Sequence, residues 1–271
     1  MLGRDVVNVA TLAGHDLTAL ARSELDITDA QAVREAVAEA RPDVVINCAA
    51  WTDVDGAETS REAALAANGT GAGNVAAGAA AVGARTVHVS SDYVFDGTTG
   101  TPYVESDRTN PLSEYGRTKL EGELAVARAA PDSHCIVRSS WLFGVAGKSF
   151  PATILKLAGE RDELTVVDDQ VGCPTFTGHL AQALVALATD GSKTGILHVA
   201  AAGQCSWHEL AQEIVTRSGS HCEVKPGRTA DLGRPAPRPA FSVLRSERGA
   251  PTLPDWQEGL AAFMEAGVPS P

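Results

Sequence analysis

Four short apolar runs, separated by helical patterns, constrain this chain more than any other feature. They are Leu17–Leu20, Val44–Cys48, Thr86–Ser90 and Cys135–Ser139. Each is short, with aliphatic residues at its centre and polar or turn residues at its ends. Such runs read as strands buried on both faces of a parallel sheet. Between them lie three helical segments. Asp29–Ala40 opens after Thr28, the expected N-cap, and stops before Pro42. Glu58–Val82 is Ala-rich, and Ser113–Ala129 is the third. The alternation predicts a doubly wound, Rossmann-type α/β domain with a parallel sheet.

Past residue 143 the rhythm loosens. Ser149–Arg161 reads as a helix, Leu164–Val167 as a strand, Thr177–Thr189 as a helix, Gly195–Val199 as a strand and Ser206–Ser218 as a helix. The stretch "GRTADLGRPAPRPAF" is too rich in Pro for a regular element. A last helix is expected near Asp255–Ala266. Residues 1–143 are therefore expected to form the sheet domain. Residues 144–271 are expected to form mainly a smaller substrate-binding lobe, with segments returning to the sheet. Ligands of open α/β sheets bind beyond the carboxyl ends of the strands, so the lobe is expected there.

At 271 residues the chain can bury a large core, and 44% hydrophobic content fits a globular fold. A net charge of −12 argues against nucleic-acid partners, which need a basic face. Cys48, Cys135, Cys173, Cys205 and Cys222 form no CxxC pair, which suggests neither a zinc site nor a disulfide framework. No run stays apolar for membrane-spanning length, and no signal-peptide pattern is present. A cytoplasmic protein without a membrane partner is expected.

The chemistry centres on "HVSSDYVFDG" and "EYGRTKLEGE". Ser91 ends a predicted strand. Tyr115 and Lys119, four residues apart at a helix start, share one face. A phenol is a poor acid–base group near neutrality, and a neighbouring cation lowers its pKa. Tyr115 can then deliver a proton to a carbonyl oxygen, with Ser91 donating a second hydrogen bond to it. Lys119 can also hold a ribose hydroxyl. A Tyr-x-x-x-Lys spacing alone equally describes solvated helix surface; the preceding strand and serine favour the catalytic reading.

The segments "RSELDITD", "RPDVVINCAAWTDVDGAE", "SSDYVFDG", "PLSEYGRTKLEGE", "RSSWLFG", "VVDDQVGCPT" and "CSWHELA" occur in that order. Together they resemble the dTDP-4-dehydrorhamnose reductases of the extended short-chain dehydrogenase/reductase superfamily, from Met1 to about Phe263. The resemblance implies an NAD(P)-binding first domain. It implies reduction of the 4-keto group of a dTDP-linked 4-keto-6-deoxy sugar by NADPH or NADH, with Ser91, Tyr115 and Lys119 catalytic. Cofactor contacts are expected at Leu2, Gly3, Asp26, Ile27, Cys48, Ala49, Ala50, Tyr115 and Lys119. Cys48, Ala49 and Ala50 are small enough for close cofactor approach, or simply a packed strand end. Arg22, where an acid would select NAD, leans the expectation toward NADPH; a surface role is its alternative.

Asp92, Trp141 and Arg238 are the substrate-side candidates. Core packing is the alternative for Trp141. Arg238 suits a diphosphate, with Arg234 as a neighbour that could serve instead. His208 is expected to be structural. Some family members bind Mg²⁺ between subunits; no ligand set is assigned here, and a homodimer is one possible assembly.

The family's opening strand and glycine-rich turn are represented only by Leu2, Gly3 and Arg4. The expectation is that the natural protein begins further upstream; the rival is a shortened protein. Two alternatives to the rhamnose reaction follow. One is a 4-ketoreductase for another dTDP-deoxysugar. The other is a non-catalytic binding subunit of the same fold, like the regulatory β subunit of methionine adenosyltransferase.

Overall fold

The computed structural model describes residues 1–267. In the first half the elements are α1 (Leu2–Leu12), α2 (Ala30–Ala40), β1 (Val44–Asn47), α3 (Val54–Thr59), α4 (Arg61–Leu65), α5 (Ala72–Ala81), β2 (Arg85–Ser91), α6 (Glu114–Ala129), β3 (His134–Ser139) and β4 (Leu142–Phe143). In the second half they are α7 (Phe150–Glu160), β5 (Glu163–Val167), β6 (Val171–Gly172), β7 (Thr175–Phe176), α8 (Thr177–Thr189), β8 (Gly195–His198), β9 (Cys205–Ser206), α9 (Trp207–Ser218), β10 (Glu223–Gly227) and α10 (Trp256–Glu265).

The main sheet is parallel, in the order β1-β2-β3-β8. Its side chains alternate between two helical layers, as the two-residue strand period requires. Val44, Ile46, Cys135 and Val137 face a layer containing Leu2 and Val6 of α1 with Leu180 and Leu184 of α8. Val45 packs beside Val33, Val37 and Val75, and Ile136 packs beside Ala72, Ala76 and Val126. This is the doubly wound α/β arrangement. A second core, around Phe143, Ile154, Leu164, Leu210, Ile214, Leu260 and Phe263, unites α7, α9 and α10 with β5. Among the described residues no helix is long and apolar enough to cross a membrane.

Three local expectations are corrected. Leu17–Leu20 is not a strand: residues 15–20 are irregular, and Leu17 and Leu20 are 40% and 49% exposed. A strand needs a ladder partner for its backbone groups. The sheet ends at β1, whose Val44–Ile46 are only half-buried, so the run has none. The N-cap of α2 is Asp29, not Thr28; the Asp29 carboxylate accepts from Gln31 and Ala32 N–H, while Thr28 Oγ1 donates to Asp26.

The expected helix Glu58–Val82 is broken. α3 ends at Thr59, and a π-helical turn spans Ala66–Gly71. That turn directs Asn68 inward, where its Oδ1 accepts from Trp51 N–H at 2.8 Å and its Nδ2 donates to Thr118 Oγ1 at 3.0 Å. Such turns cluster at functional sites because they re-aim one side chain without ending the helix. The Pro-rich stretch opens on Gly227, the last residue of β10, and includes one 3-10 turn at Thr229–Leu232.

Candidate active site

Ser91 is the last residue of β2, and Tyr115 and Lys119 lie in the first turns of α6. Ser113 starts that helix by accepting from Gly116 N–H at 3.2 Å. Two glycines bring α6 close. A Cβ on Gly116 would lie 2.2 Å from the Tyr93 carbonyl oxygen, and one on Gly122 would lie 2.1 Å from that of Asn68. Only glycine permits either approach. α6 therefore rests directly against the turn that follows β2 and against the π-helical turn.

The Ser91 hydroxyl lies close enough to the Tyr115 phenol to favour its ionised form. Ser91 Oγ also donates to Asp92 Oδ1 at 3.1 Å and accepts from Tyr93 N–H at 3.2 Å. Lys119 is 2% exposed, and its Nζ donates to the Val89 carbonyl at 2.7 Å. The Tyr93 ring meets Tyr115 edge-on, with centroids 5.4 Å apart. The expected downward shift of the phenol is not the net result. Burial pushes Tyr115 up to about 12, against the opposing pull of the nearby Ser91 hydroxyl. Burial also pulls Lys119 down to about 8, although the Glu123 carboxylate favours its charged form. Tyr115 thus keeps its proton at neutral pH, the state that an acid giving a proton to a carbonyl oxygen requires.

Asp92 is 2% exposed and bound by three serines from separate segments. Ser242 Oγ donates at 2.6 Å, Ser140 Oγ at 3.1 Å and Ser91 Oγ at 3.1 Å. Burial pushes its carboxyl up to about 6. Asp92 thereby ties the C-terminal segment, through Ser242, to Ser91 at the end of β2.

On the cofactor side, Cys48, Ala49 and Ala50 follow β1, with Ala49 N–H donating to Asn47 Oδ1 at 3.0 Å. The start of α1 adjoins them: a Cβ on Gly3 would lie 3.7 Å from Cys48 Cβ. Leu2 spends its side chain in the core, which leaves only its backbone for a ligand. Among the described residues the N-terminus of α1 has no side-chain cap, and Thr177 Oγ1, beside Met1 and Gly144, is buried without a partner. Ser139 Oγ, at the end of β3, is likewise buried and unpartnered. Free N–H groups at a helix start and unsatisfied hydroxyls suit an anionic dinucleotide. Asp26 is exposed and bonded to Thr28, Ile27 is half-buried against Gly71, and Arg22 is exposed.

On the substrate side, Trp141 follows β3 in a left-handed backbone conformation, φ 47. Arg238 is not free. Its guanidinium pairs with Asp55 at 3.0 and 2.9 Å, and Arg234 approaches the same carboxylate at 3.5 Å. Arg238 also adjoins the Tyr93 phenol. His208 is held by the Val224 carbonyl at 3.1 Å, in keeping with a structural role. The structure adds Tyr93, Asp55, Asn68 and Trp207. Tyr93 and Asp55 lie inside motifs already singled out, so proximity in sequence could have raised them. Nothing local marks Asn68.

The family model described as RmlD substrate binding domain matches residues 1–268. The chain is 43% identical to a dTDP-4-dehydrorhamnose reductase from Streptomyces griseus, over 98% of this chain and 90% of that protein. It is 42% identical to a probable dTDP-4,6-dihydroxy-2-methyloxan-3-one 4-ketoreductase from Streptomyces antibioticus, over 96% and 90%. The crystal structure of dTDP-4-dehydrorhamnose reductase from Bacillus anthracis in complex with NADP superposes with a TM-score of 0.94 at 36% identity, covering 98% of this chain and 95% of that one. The chain belongs to the dTDP-4-dehydrorhamnose reductase family of short-chain dehydrogenase/reductase-type oxidoreductases.

Proposed function

We propose that this chain reduces the 4-keto group of dTDP-4-dehydro-L-rhamnose to give dTDP-L-rhamnose, using NADPH in preference to NADH, in the cytoplasm. The observation that carries the reading is the convergence of Ser91, Tyr115 and Lys119 at the end of β2. When bound, the nicotinamide supplies a hydride to the carbonyl carbon. The residues do the rest. Tyr115 gives its proton to the carbonyl oxygen, Ser91 donates a hydrogen bond to the same oxygen, and the Lys119 ammonium offsets the phenolate left behind. Leu2, Gly3, Cys48, Ala49 and Ala50 hold the dinucleotide through backbone groups, with Asp26 and Ile27 at its adenine end and Arg22 toward a 2′-phosphate. Residues 144–271 supply most of the substrate-binding lobe, with Asp92, Trp141 and Arg238 on the sugar-nucleotide side.

The test is oxidation of NADPH in the presence of dTDP-4-dehydro-L-rhamnose, for the chain and its Tyr115→Phe variant. Turnover that drops by about a hundredfold or more in the variant supports the assignment. Turnover unchanged by the substitution overturns it.

The near-equal identity to the Streptomyces antibioticus 4-ketoreductase favours a second reading, a different dTDP-deoxysugar. Comparing kcat/KM on the two 4-keto sugars separates them.

A further inference from the structure

His88 is a fully buried ionisable residue that the chemistry above leaves without a task. It lies in the middle of β2, and its register partner on β1 is Asn47. Strand alternation puts its ring on the same face as Ser90, which reaches Glu123 of α6. Burial and the Lys119 ammonium hold its pKa well below the ordinary value and keep the ring neutral.

The hydrogen bonds decide which nitrogen carries the proton. Asn47 is also buried, and its Oδ1 accepts from Ala49 N–H at 3.0 Å, an Asx turn that ends β1. A backbone N–H cannot face an amide N–H, so the Asn47 oxygen is on the Ala49 side and its Nδ2 is on the other. That Nδ2 lies 3.2 Å from His88 Nδ1. An amide N–H donates there, so Nδ1 is the acceptor and the ring proton sits on Nε2. The opposite tautomer would set two donors against each other. Nε2 is buried with no partner, so Asn47 makes the ring's only hydrogen bond among the described residues.

We infer that His88 is a positioning residue for the dinucleotide: its Nδ1 fixes the Asn47 amide, and the Asn47 oxygen fixes the turn formed by Cys48, Ala49 and Ala50. This rests on the reading of those three residues as cofactor contacts. An amide free to turn over would offer Ala49 either an oxygen or an N–H. The imidazole acceptor removes the second choice. The turn then holds one backbone geometry before the cofactor arrives, and such preorganisation lowers the cost of binding.

Binding of NADPH to the full chain without sugar, followed by nicotinamide fluorescence, tests this, with ¹⁵N NMR of the imidazole as a second readout. In the parent, His88 should be neutral and protonated on Nε2. Asn47→Asp keeps an acceptor for Ala49 but removes the donor to the ring, so it should move the proton to Nδ1. His88→Leu removes the acceptor and should raise Kd for NADPH about five- to tenfold. His88→Asn returns an amide oxygen near the Nδ1 position and should bring Kd back to within about twofold of the parent. Added to Asn47→Ala, His88→Leu should cost nothing further. Free dTDP should bind every variant as it binds the parent, which controls for folding. A parent ring protonated on Nδ1 overturns the inference, whatever the variants do. If His88→Asn binds as weakly as His88→Leu, the loss is one of packing and the inference falls. If Asn47→Ala raises Kd but His88→Leu does not, the inference falls while the cofactor-turn reading stands. If neither changes Kd, both fall. A parent that binds no NADPH overturns the proposed function itself, and the inference with it.

Discussion

Arg238 and Asp55 face each other across 183 residues of sequence and close a bidentate pair. Arg238 lies in the C-terminal segment, and Asp55 lies just past the loop that follows β1. The pair therefore clamps that segment onto the cofactor side of the sheet. Planar guanidinium and carboxylate groups match in this geometry, which lysine could not reproduce.

The clamp should be visible in acid. The Arg238 hydrogen bond holds the Asp55 carboxyl below the usual carboxylate range. With the folded pKa depressed, its stabilisation is fully present above the unfolded value of about 3.9 and is lost as pH falls through the folded value. The Asp55 side chain is 31% exposed, so the pair contributes about 1 kcal/mol or less. Urea midpoints should show Asp55→Asn less stable than the parent near neutrality and equal to it near about pH 2. Equal midpoints at both pH values would mean that the pair holds nothing.

The reduction should lose activity on the alkaline side with a midpoint near the Lys119 value of about 8. Above it the lysine is neutral and no longer offsets the phenolate left on Tyr115. Tyr115 itself, held up to about 12, adds no limb in that range. Lys119→Arg keeps its charge and should move the limb to higher pH, whatever its effect on the maximum rate. Stability moves the other way. The folded pKa lies below the unfolded value of about 10.4, so the unfolded chain holds the extra proton between about 8 and 10.4. Lys119 alone thus makes stability rise with pH across that window. Lys119→Met should abolish the rise in a denaturation series.

Local pattern carried much of this architecture. Ser91, Tyr115 and Lys119 are legible because one strand end and the first turns of one helix determine their geometry. What was illegible depends on partners distant in sequence. Leu17–Leu20 has the composition of a strand but no neighbour to bond with. The π-helical turn follows from the hydrogen bonds of Asn68 to Trp51 and Thr118, on segments 17 and 50 residues away. Trp207 sat unremarked inside "CSWHELA", and its stacking on Trp141 arises only where α9 meets the loop after β3.

Gly122 tests the close approach of α6. An added Cβ would meet the Asn68 backbone oxygen at 2.1 Å, and a main-chain atom cannot rotate away. Gly122→Ala should cost about 2–3 kcal/mol. Gly100 meets nothing within 4 Å, so Gly100→Ala should stay within about 0.5 kcal/mol of the parent. Thermal or urea unfolding of the two variants checks the contrast. A loss at Gly100 equal to that at Gly122 would rule out the contact as the cause, because helix propensity and chain entropy both favour alanine.

Glu123 separates stability from proton affinity. Its side chain and that of Arg138 are each 3% exposed. Arg138 donates through Nε and Nη2 at 2.8 and 2.6 Å, and Ser90 Oγ donates to the same carboxylate at 2.6 Å. Glu123→Gln leaves a buried guanidinium without its counter-charge and should cost about 3–5 kcal/mol. It also removes the anion that favours the Lys119 ammonium one helical turn away, so the alkaline limb of activity should move to lower pH. Replacing both partners, with Glu123→Leu and Arg138→Met, removes the unpaired charge and should recover most of the stability. The limb should stay displaced, because the carboxylate is still gone. If it returns with stability, Glu123 acts on Lys119 only by holding the helix in place.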